Sequence, residues 1–304
     1  MTVGAMKSCF FAIIGVLGFL AGCASGPQAA SEQAAFEQNV DGLEPGIYAT
    51  KTGEKLAPDE LYDRLAEHRY VVVGEQHDDA WSHEIQAKVL REVIERVDSV
   101  VLGMEMFQRP FQAPLDAYVA GEISEDEMLE QTEWADRWGF GTEFYSPLWQ
   151  HARKSGVPIV ALNARRELSK AIARGGLEGL SEADRADVPE LDLDNEAHRA
   201  FVRHAFEQHD MEMSEQRFER FFAAQVLWDE TMAQTAVEFV GDHPTVDTMV
   251  IVAGGAHADK RFGIPPRIER RVDADVVTLQ PVSASDTSTL EQLGQAADYV
   301  WVRT

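Results

Sequence analysis

Short, mostly apolar runs that are rich in β-branched residues constrain the fold of this chain most strongly. Five such runs alternate with helical patterns, at residues 70–73, 99–103, 159–162, 249–253 and 275–279. Runs of this kind are typical of strands that are buried on both faces of a parallel sheet. Strands that alternate with helices predict an α/β fold, with a mostly parallel central sheet flanked by helices. A further run at residues 299–302 is predicted to add an edge strand.

The helical segments are predicted from apolar residues that recur at helical spacing. One short amphipathic helix spans residues 59–67, and a longer one spans residues 81–97. Two long inserts interrupt the series of strands at residues 111–152 and 166–240, and the second contains a long helix at 214–240. We expect these inserts to form a helical cap over one end of the sheet.

The N-terminus has the layout of a secretory signal. Lys7 precedes an apolar run at residues 9–20, which is too short to cross a bilayer comfortably as a helix. Residues 20–23 then read Leu-Ala-Gly-Cys, which resembles the lipobox of bacterial lipoproteins. We therefore expect residues 1–22 to be a signal peptide that is removed, and Cys23 to carry the lipid that anchors the chain to a membrane.

The residues after the lipobox predict where the protein resides. Residues 23–45 include small polar stretches without an apolar period, so we expect a lipidated tether ahead of a single domain at 46–304. Ala24, rather than an aspartate, follows the lipidated cysteine, and this favours sorting to the outer membrane. The expected location is the cell envelope, as an outer-membrane lipoprotein that faces the periplasm or the cell surface.

Composition argues against several classes of partner and site. The chain has 27 basic and 52 acidic residues and a net charge of −25. This balance argues against nucleic acid as a partner, because phosphate binding needs a basic face. The two cysteines are Cys9 and Cys23. Once Cys9 leaves with the signal and Cys23 is acylated, the mature chain has no thiol left for a disulfide or a cysteine-based structural zinc site.

Polar side chains follow the predicted strands at the points where they end. Glu75 and His77 follow the first strand, Glu105 follows the second, and His257 follows the fourth. Ligands of open parallel sheets bind beyond the carboxyl ends of the strands, so we expect these side chains to converge on one rim. Buried charges are costly unless they pair, bind a metal or face water. The set therefore indicates either a functional site or a Glu–His pair that locks the strand ends.

The first and fourth strand ends also match each other. Both read as a strand, a glycine, two residues and a histidine, with Gly74 and His77 in one copy and Gly254 and His257 in the other. Glycine lets the backbone turn sharply out of a strand, so the histidine can return over the strand end. We interpret the pair as a diverged duplication of one strand–loop unit.

Five motifs together resemble one family, the ChaN-like haem-binding lipoproteins, within a superfamily that includes Tiki, TraB and erythromycin esterase. The motifs lie at residues 72–78, 103–107, 161–167, 224–233 and 254–257, and the resemblance covers most of the chain from 56 to 279. Their order along the chain agrees with the family. One departure is Arg165, where the family has a small residue or proline, so either Arg165 or Arg166 could point into the site.

The resemblance implies haem as the cofactor and a role in haem and iron acquisition at the outer membrane. Haem needs an axial ligand such as His, Tyr or Met. The candidate axial ligands in this sequence are Tyr145 and His209, with Tyr118 and His204 as alternatives, and Arg166 and Asn163 are further candidate haem contacts. The implied partners are haem, a second copy of the chain and an outer-membrane haem receptor.

The same superfamily implies a second function, the metal-dependent hydrolysis of a peptide or an ester. His77, Glu105 and His257 would then hold a divalent metal ion, and Glu75 would complete the catalytic set as an acid or base. A third interpretation is a structural lipoprotein that retains a relict site.

Two further segments each leave two interpretations open. On the long helix, Asp229 shares one face with Gln225 and Met232, so it either hydrogen-bonds within the core or orients a histidine of the site. The aromatic residues between positions 134 and 149 either line a flat cofactor or pack the inside of the cap.

Overall fold

The computed structural model describes residues 39–207, 214–283, 286 and 288–303. Its centre is a sheet of eight strands in the order β2-β1-β8-β7-β3-β6-β4-β5. The strands from β8 to β5 are parallel, whereas β1 runs antiparallel to both of its neighbours. The strands are β1 (Gly46–Ala49), β2 (Glu54–Leu56), β3 (Tyr70–Val73), β4 (Val100–Gln108), β5 (Ile159–Asn163), β6 (Thr248–Val252), β7 (Val276–Val282) and β8 (Tyr299–Val302).

Helices cover both faces of this sheet, and the predicted α/β fold with a mostly parallel sheet is confirmed. The α-helices are α1 (Pro58–Ala66), α2 (Ala80–Ile94), α3 (Gln112–Val119), α4 (Glu125–Gln131), α5 (Trp134–Arg137), α6 (Thr142–Ser155), α7 (Arg166–Gly175), α8 (Glu182–Ala186), α9 (Glu196–Glu207), α10 (Glu215–Asp242), α11 (Ile264–Arg271) and α12 (Leu290–Leu293). Short 3₁₀ turns lie at Val40–Gly42, Arg109–Phe111 and Leu177–Gly179.

The hydrophobic core forms two layers because successive strand residues point to opposite faces. On one face, Val71 and Val73 pack in a cluster that includes residues of α2 and α6. On the other face, Tyr70 and Val72 pack in a cluster with residues of α10 and α11. Each fully buried Val or Leu side chain contributes about 1.5–3 kcal/mol to folding. The long inserts thus supply helices to both faces of the sheet.

Two strands differ from their predicted form. β4 continues to Gln108 with a register shift against β5, so Glu105 lies within the strand rather than after it. β8 is not an edge strand, because the hairpin of β1 and β2 covers its outer side. That hairpin was not predicted, because strands of four and three residues are too short to show a clear period.

The described fold starts ahead of Gly46. Val40 is fully buried and packs in a cluster with Tyr48, Leu290 and Val300. Cys23 and the predicted signal peptide lie outside the described residues. Within the described part of the chain, none of the helices has the length and apolar character that crossing a membrane requires.

Candidate functional site

The carboxyl ends of β3, β4 and β6 meet at one rim of the sheet. Glu105 of β4 lies there between the loop after β3, which carries His77, and the turn after β6, which carries His257. Its Oε2 accepts a hydrogen bond from the backbone N–H of Gly254 at 2.6 Å, and its Oε1 lies 3.4 Å from Nε2 of His257. His77 approaches from the other loop, since a Cβ atom at Gly254 would lie 2.9 Å from its Cε1. The structure therefore brings the predicted strand-end residues together, while their catalytic role stays a prediction.

Glu75 binds two imidazoles beneath this rim. Its side chain is fully buried, and Oε1 accepts a hydrogen bond from Nδ1 of His77 at 2.5 Å. Nε2 of His83 hydrogen-bonds to the carbonyl oxygen of His77 at 3.2 Å and lies 3.0 Å from Oε2 of Glu75. Burial alone would raise the pKa of Glu75, but the hydrogen bonds from His77 and His83 lower it. Glu75 is therefore a buried carboxylate anchor for both rings.

His83 was missed by the sequence reasoning. It lies in the first turn of α2, whose N-cap Asp79 accepts a hydrogen bond from the N–H of Ser82. Because α2 begins just after the loop from β3, its first turn lies beside the rim. A histidine in the first turn after a strand-end loop is the signal that could have indicated it.

His257 has a carboxylate at each ring nitrogen. Nδ1 lies 2.6 Å from Oδ1 of Asp229, and Nε2 faces Glu105. Burial alone would lower the pKa of His257, but Glu105 and Asp229 outweigh it and raise the pKa to about 9. For Asp229 burial acts in the opposite direction and alone would raise the pKa, but the charges of His257 and Arg267 lower it. Of the two roles considered for Asp229, the structure supports the orientation of a site histidine.

His77 is the more open of the two loop histidines. Its side chain is 34% exposed, against 15% for His257. The rings of Trp138 and Phe140 pack against it, each with its centroid 5.0 Å from the imidazole, and against each other with centroids 5.8 Å apart. Burial alone would lower the pKa of His77, but the hydrogen bond to Glu75 and the charge of Glu105 raise it. The histidines of the two Gly-x-x-His units therefore differ in exposure. His257 is mostly buried, whereas His77 is partly exposed to solvent.

Gln280 of β7 holds the two glycine turns together. Its Nε2 donates a hydrogen bond to the carbonyl oxygen of Gly255 at 2.8 Å. A Cβ atom at Gly74 would lie 2.1 Å from its Oε1. The sequence reasoning missed Gln280, because a single polar residue in a strand pattern carries no sign of its neighbours. The close approach explains why glycine suits position 74.

Two predicted haem contacts turn out to support the rim from below. Tyr145 is fully buried, and its hydroxyl donates to Oε1 of Glu75 at 3.4 Å. Burial, reinforced by the charge of Glu75, raises the pKa of Tyr145, which disfavours the phenolate that would bind iron. Asn163 donates from Nδ2 to the carbonyl oxygen of Glu105 at 3.1 Å. His209 lies outside the described residues.

The two adjacent arginines point in different directions. Arg165 pairs with Asp184 and Asp187 on the outer side of the second insert. Arg166 donates its backbone N–H to Oε1 of Gln108 and bonds through Nη1 to the carbonyl oxygen of Asp136. Oε1 of Gln108 also accepts from Arg137, at 2.9 Å. Arg166 and Arg137 thus both lie beside the carboxyl end of β4.

The predicted metal set is not arranged as a complete metal site. Among the residues that the structure describes, no group of three or more His, Cys, Asp or Glu side chains is placed to hold a metal ion. The Nδ1 atoms of both loop histidines face carboxylates, which is the pairing that orients metal-binding histidines in proteins. Metal binding by His77, Glu105 and His257 stays a prediction.

Comparison with known families decides the relationship of this chain. A family model described as haem-binding uptake, Tiki superfamily, ChaN matches residues 61–268. The chain belongs to the ChaN family. The resemblance inferred from the motifs is therefore confirmed.

Solved structures resemble this chain to different degrees. A structure described as cofacial haem binding to ChaN of Campylobacter jejuni has a TM-score of 0.68 and 19% identity, and covers 84% of this chain and 94% of that one. This likeness shows the shared fold. A mutant of the erythromycin esterase EreC in its open conformation has a TM-score of 0.47 and 13% identity, and covers 79% and 76% of the two chains.

A curated plant relative is much longer than this chain. The chloroplastic protein RETICULATA-RELATED 5 of Arabidopsis thaliana is 25% identical over 264 residues, which cover 79% of this chain. The match covers 35% of the plant protein, so this ChaN-family chain matches about a third of that relative's length.

Proposed function

We propose that this ChaN-family protein binds haem at the carboxyl rim of its sheet and serves haem and iron uptake at the outer membrane. A lipid on Cys23 anchors it there. The observation that carries the proposal is the partly exposed imidazole of His77 beside the packed rings of Trp138 and Phe140, in a chain whose family is described as haem-binding. A second copy of the chain and an outer-membrane haem receptor are the proposed partners.

The residues of the rim fit the chemical needs of haem. Haem requires an axial ligand, apolar surface for the macrocycle and cations for two propionates. His77 offers a nitrogen, and Trp138 and Phe140 offer ring surface. Arg137 and Arg166 lie together at Gln108, and the Nε of Arg166 is buried with no hydrogen-bond partner in the described part of the chain. Arg137 also pairs with Glu133 and Glu167, so Arg166 is the arginine of this pair proposed to offset the repulsion expected from a net charge of −25.

Haemin titration of the purified full-length protein in detergent tests this proposal. We expect a saturable shift of the Soret band at low stoichiometry. The substitution Arg166→Gln should weaken haemin binding about 10–100-fold, because a charge-assisted hydrogen bond contributes about 1.5–3 kcal/mol. Arg165→Gln is the matched control, because Arg165 pairs instead with Asp184 and Asp187. Absence of a saturable shift in the wild-type protein would contradict haem binding.

Membrane anchoring and assembly have their own tests. Cys23→Ser should move the protein from the outer-membrane fraction to the soluble fraction, because the lipid is then missing. Retention of Cys23→Ser in the membrane fraction would argue against the lipid anchor. Sedimentation with and without haemin measures the proposed self-association, and a monomer under both conditions would argue against the second copy.

A second candidate function rests on the paired imidazoles. Both loop histidines have Nδ1 against a buried carboxylate, and Glu105 lies between the loops. This pairing suits acid–base or metal-assisted hydrolysis. His257→Ala should then abolish hydrolysis of peptide or ester substrates, and metal analysis of the purified protein should find a divalent ion that His77→Ala removes. A wild-type protein that holds no such ion and cleaves no such substrate would reject this candidate.

A further inference from the structure

Helix α7 carries a row of cations along one side. Arg166, Lys170 and Arg174 follow each other at intervals of four residues, so they share a face of the helix, with a rise of about 6 Å between successive positions. Arg220 of α10 extends the row, because its Nη1 donates a hydrogen bond to the carbonyl oxygen of Arg174 at 2.9 Å. These residues form the α7 cation row.

The positive charge of this row is largely uncompensated. In the described part of the chain, Arg166, Lys170 and Arg174 form no ion pair with a carboxylate, whereas the neighbouring Arg165 pairs with Asp184 and Asp187. Lys170 and Arg174 are also exposed to solvent. The row is therefore a positive patch on a chain whose net charge is −25.

The local sequence keeps acidic residues away from the row. Residues 168–177 include two cations and no aspartate or glutamate, although acids make up 52 of the 304 residues. On α10, the carboxylates of Glu215 and Glu219 are engaged with Arg203 and Arg199 of α9. These neighbouring carboxylates thus pair with α9 and leave the α7 cation row positive.

The stability of α7 does not account for the row. A cation in the first turn of a helix interacts unfavourably with the helix dipole, and Arg166 is the first residue of α7. Arg174 and Arg220 lie near the last carbonyl groups, where a cation is favourable. Lys170 lies in the middle of the helix, beyond the reach of either effect. A binding role explains the whole row, whereas helix capping explains only one end of it.

We infer that the α7 cation row is a docking surface for an acidic segment of another protein. The row is presented rigidly, because Leu168 and Ile172 on the inner side of α7 are buried in a cluster with residues of α10. Its step of about 6 Å matches acidic side chains at every fourth residue of a partner helix. The step is also close to the spacing of about 6.4–6.8 Å between alternate residues of a strand.

A narrow acidic segment suits this surface better than an anionic membrane. Interactions between exposed charges are screened over a Debye length of about 8 Å at physiological ionic strength. A segment that contacts only the row therefore escapes most of the negative charge on the rest of the protein. A flat bilayer would also meet the exposed Glu167 and Glu178, and the net charge of −25 would repel it.

Fluorescence anisotropy with a labelled octaglutamate peptide and the full-length protein in neutral detergent tests this inference. We expect saturable binding that weakens as the salt concentration rises from about 0.05 to 0.5 M, because salt screens exposed charges. The double variant Lys170→Glu with Arg174→Glu should weaken binding at least about tenfold, because two attractive charges become repulsive. A labelled octaserine peptide should not bind.

The double variant Lys51→Glu with Lys154→Glu is the matched control. It changes the net charge by the same amount at two exposed cations that lie off the row and form no ion pair in the described residues. Its affinity for octaglutamate should stay within about twofold of the wild type, as expected for charges more than a Debye length from the contact. Unchanged denaturant unfolding of both double variants shows that each is folded.

Three outcomes would overturn the inference. The first is a wild-type protein that does not bind octaglutamate, and the second is equal weakening in the two double variants, which would show an effect of net charge alone. The third is binding of the Cys23→Ser protein to phosphatidylglycerol vesicles through Lys170 and Arg174 without binding to the peptide, which would assign the row to a membrane. Haemin is absent from these measurements, so they stand whether or not the proposed haem binding does.

Discussion

Oδ1 of Asp229 lies 2.6 Å from Nδ1 of His257, although 28 residues separate them along the chain. The contact joins α10, the long helix of the second insert, to the turn that follows β6. Asp229 is 1% exposed and also lies near His198 and Arg267, at 3.6 and 3.9 Å. A buried network thus links the rim to the helical layer beneath it.

The charge of Asp229 should control the protonation of His257. In Asp229→Asn the imidazole loses an adjacent opposite charge, so we expect its pKa to fall from about 9 by roughly 1–3 units. A nuclear magnetic resonance titration of the His257 ring measures this change. Asp242→Asn, at the exposed end of the same helix, should leave that pKa unchanged. An equal pKa in the wild type and Asp229→Asn would refute the coupling.

Glu230 should be important for stability. Its side chain is fully buried, and Arg267, Arg270 and Arg271 lie 3.1, 2.8 and 2.7 Å from its oxygens. Glu230→Gln removes the negative charge that pairs with these three arginines. We therefore expect the free energy of unfolding to fall by about 3–5 kcal/mol. Denaturant unfolding measures the loss. The exposed Glu238, two turns later on α10, provides the control Glu238→Gln, which should cost less than about 0.5 kcal/mol.

Gly254 should be required for the position of the His77 ring. In Gly254→Ala the new methyl group would lie 2.9 Å from Cε1 of His77, so the ring or the turn must shift. We expect a loss of about 1–3 kcal/mol in unfolding free energy and displaced resonances of His77. Gly241→Ala is the control, because open space surrounds that position near the end of α10. Unmoved His77 resonances in Gly254→Ala would show that the contact is not restrictive.

His198 should make the protein less stable in mild acid. Burial lowers its pKa to about 4, with Asp229, Glu230 and Arg267 facing the ring, while the unfolded chain binds a proton near pH 6.5. The unfolded state therefore takes up the proton first as the pH falls from about 6.5 to 4, and folding stability is lost across that window.

The variant His198→Gln isolates this effect. Over the same window it should lose on the order of 3 kcal/mol less unfolding free energy than the wild type, because glutamine does not titrate. Denaturant unfolding at pH 6.5 and pH 4 measures how much unfolding free energy each protein loses between these two pH values. If the wild type and the variant lose the same unfolding free energy, groups other than His198 cause the acid sensitivity.

Much of the fold was predictable because local patterns determine it. The run at Tyr70–Val73 is buried on both faces, as an unbroken β-branched strand of a parallel sheet requires. Glu75, His77 and His257 could be placed on one rim because parallel strands end at the same edge of a sheet. β1 and β2 could not be found this way, since three or four residues of mixed polarity carry no usable period.

By itself, the sequence determined the parallel strands, the helices between them and the rim where the polar residues gather, since these follow from periodicity and chain direction. Only the tertiary structure decided the partners within that rim. It paired Asp229 with His257, buried Tyr145 against Glu75, turned Arg165 away from Arg166 and left His77 open. The physical reason is that partner choice depends on contacts between segments distant in the chain, whose packing no local pattern records.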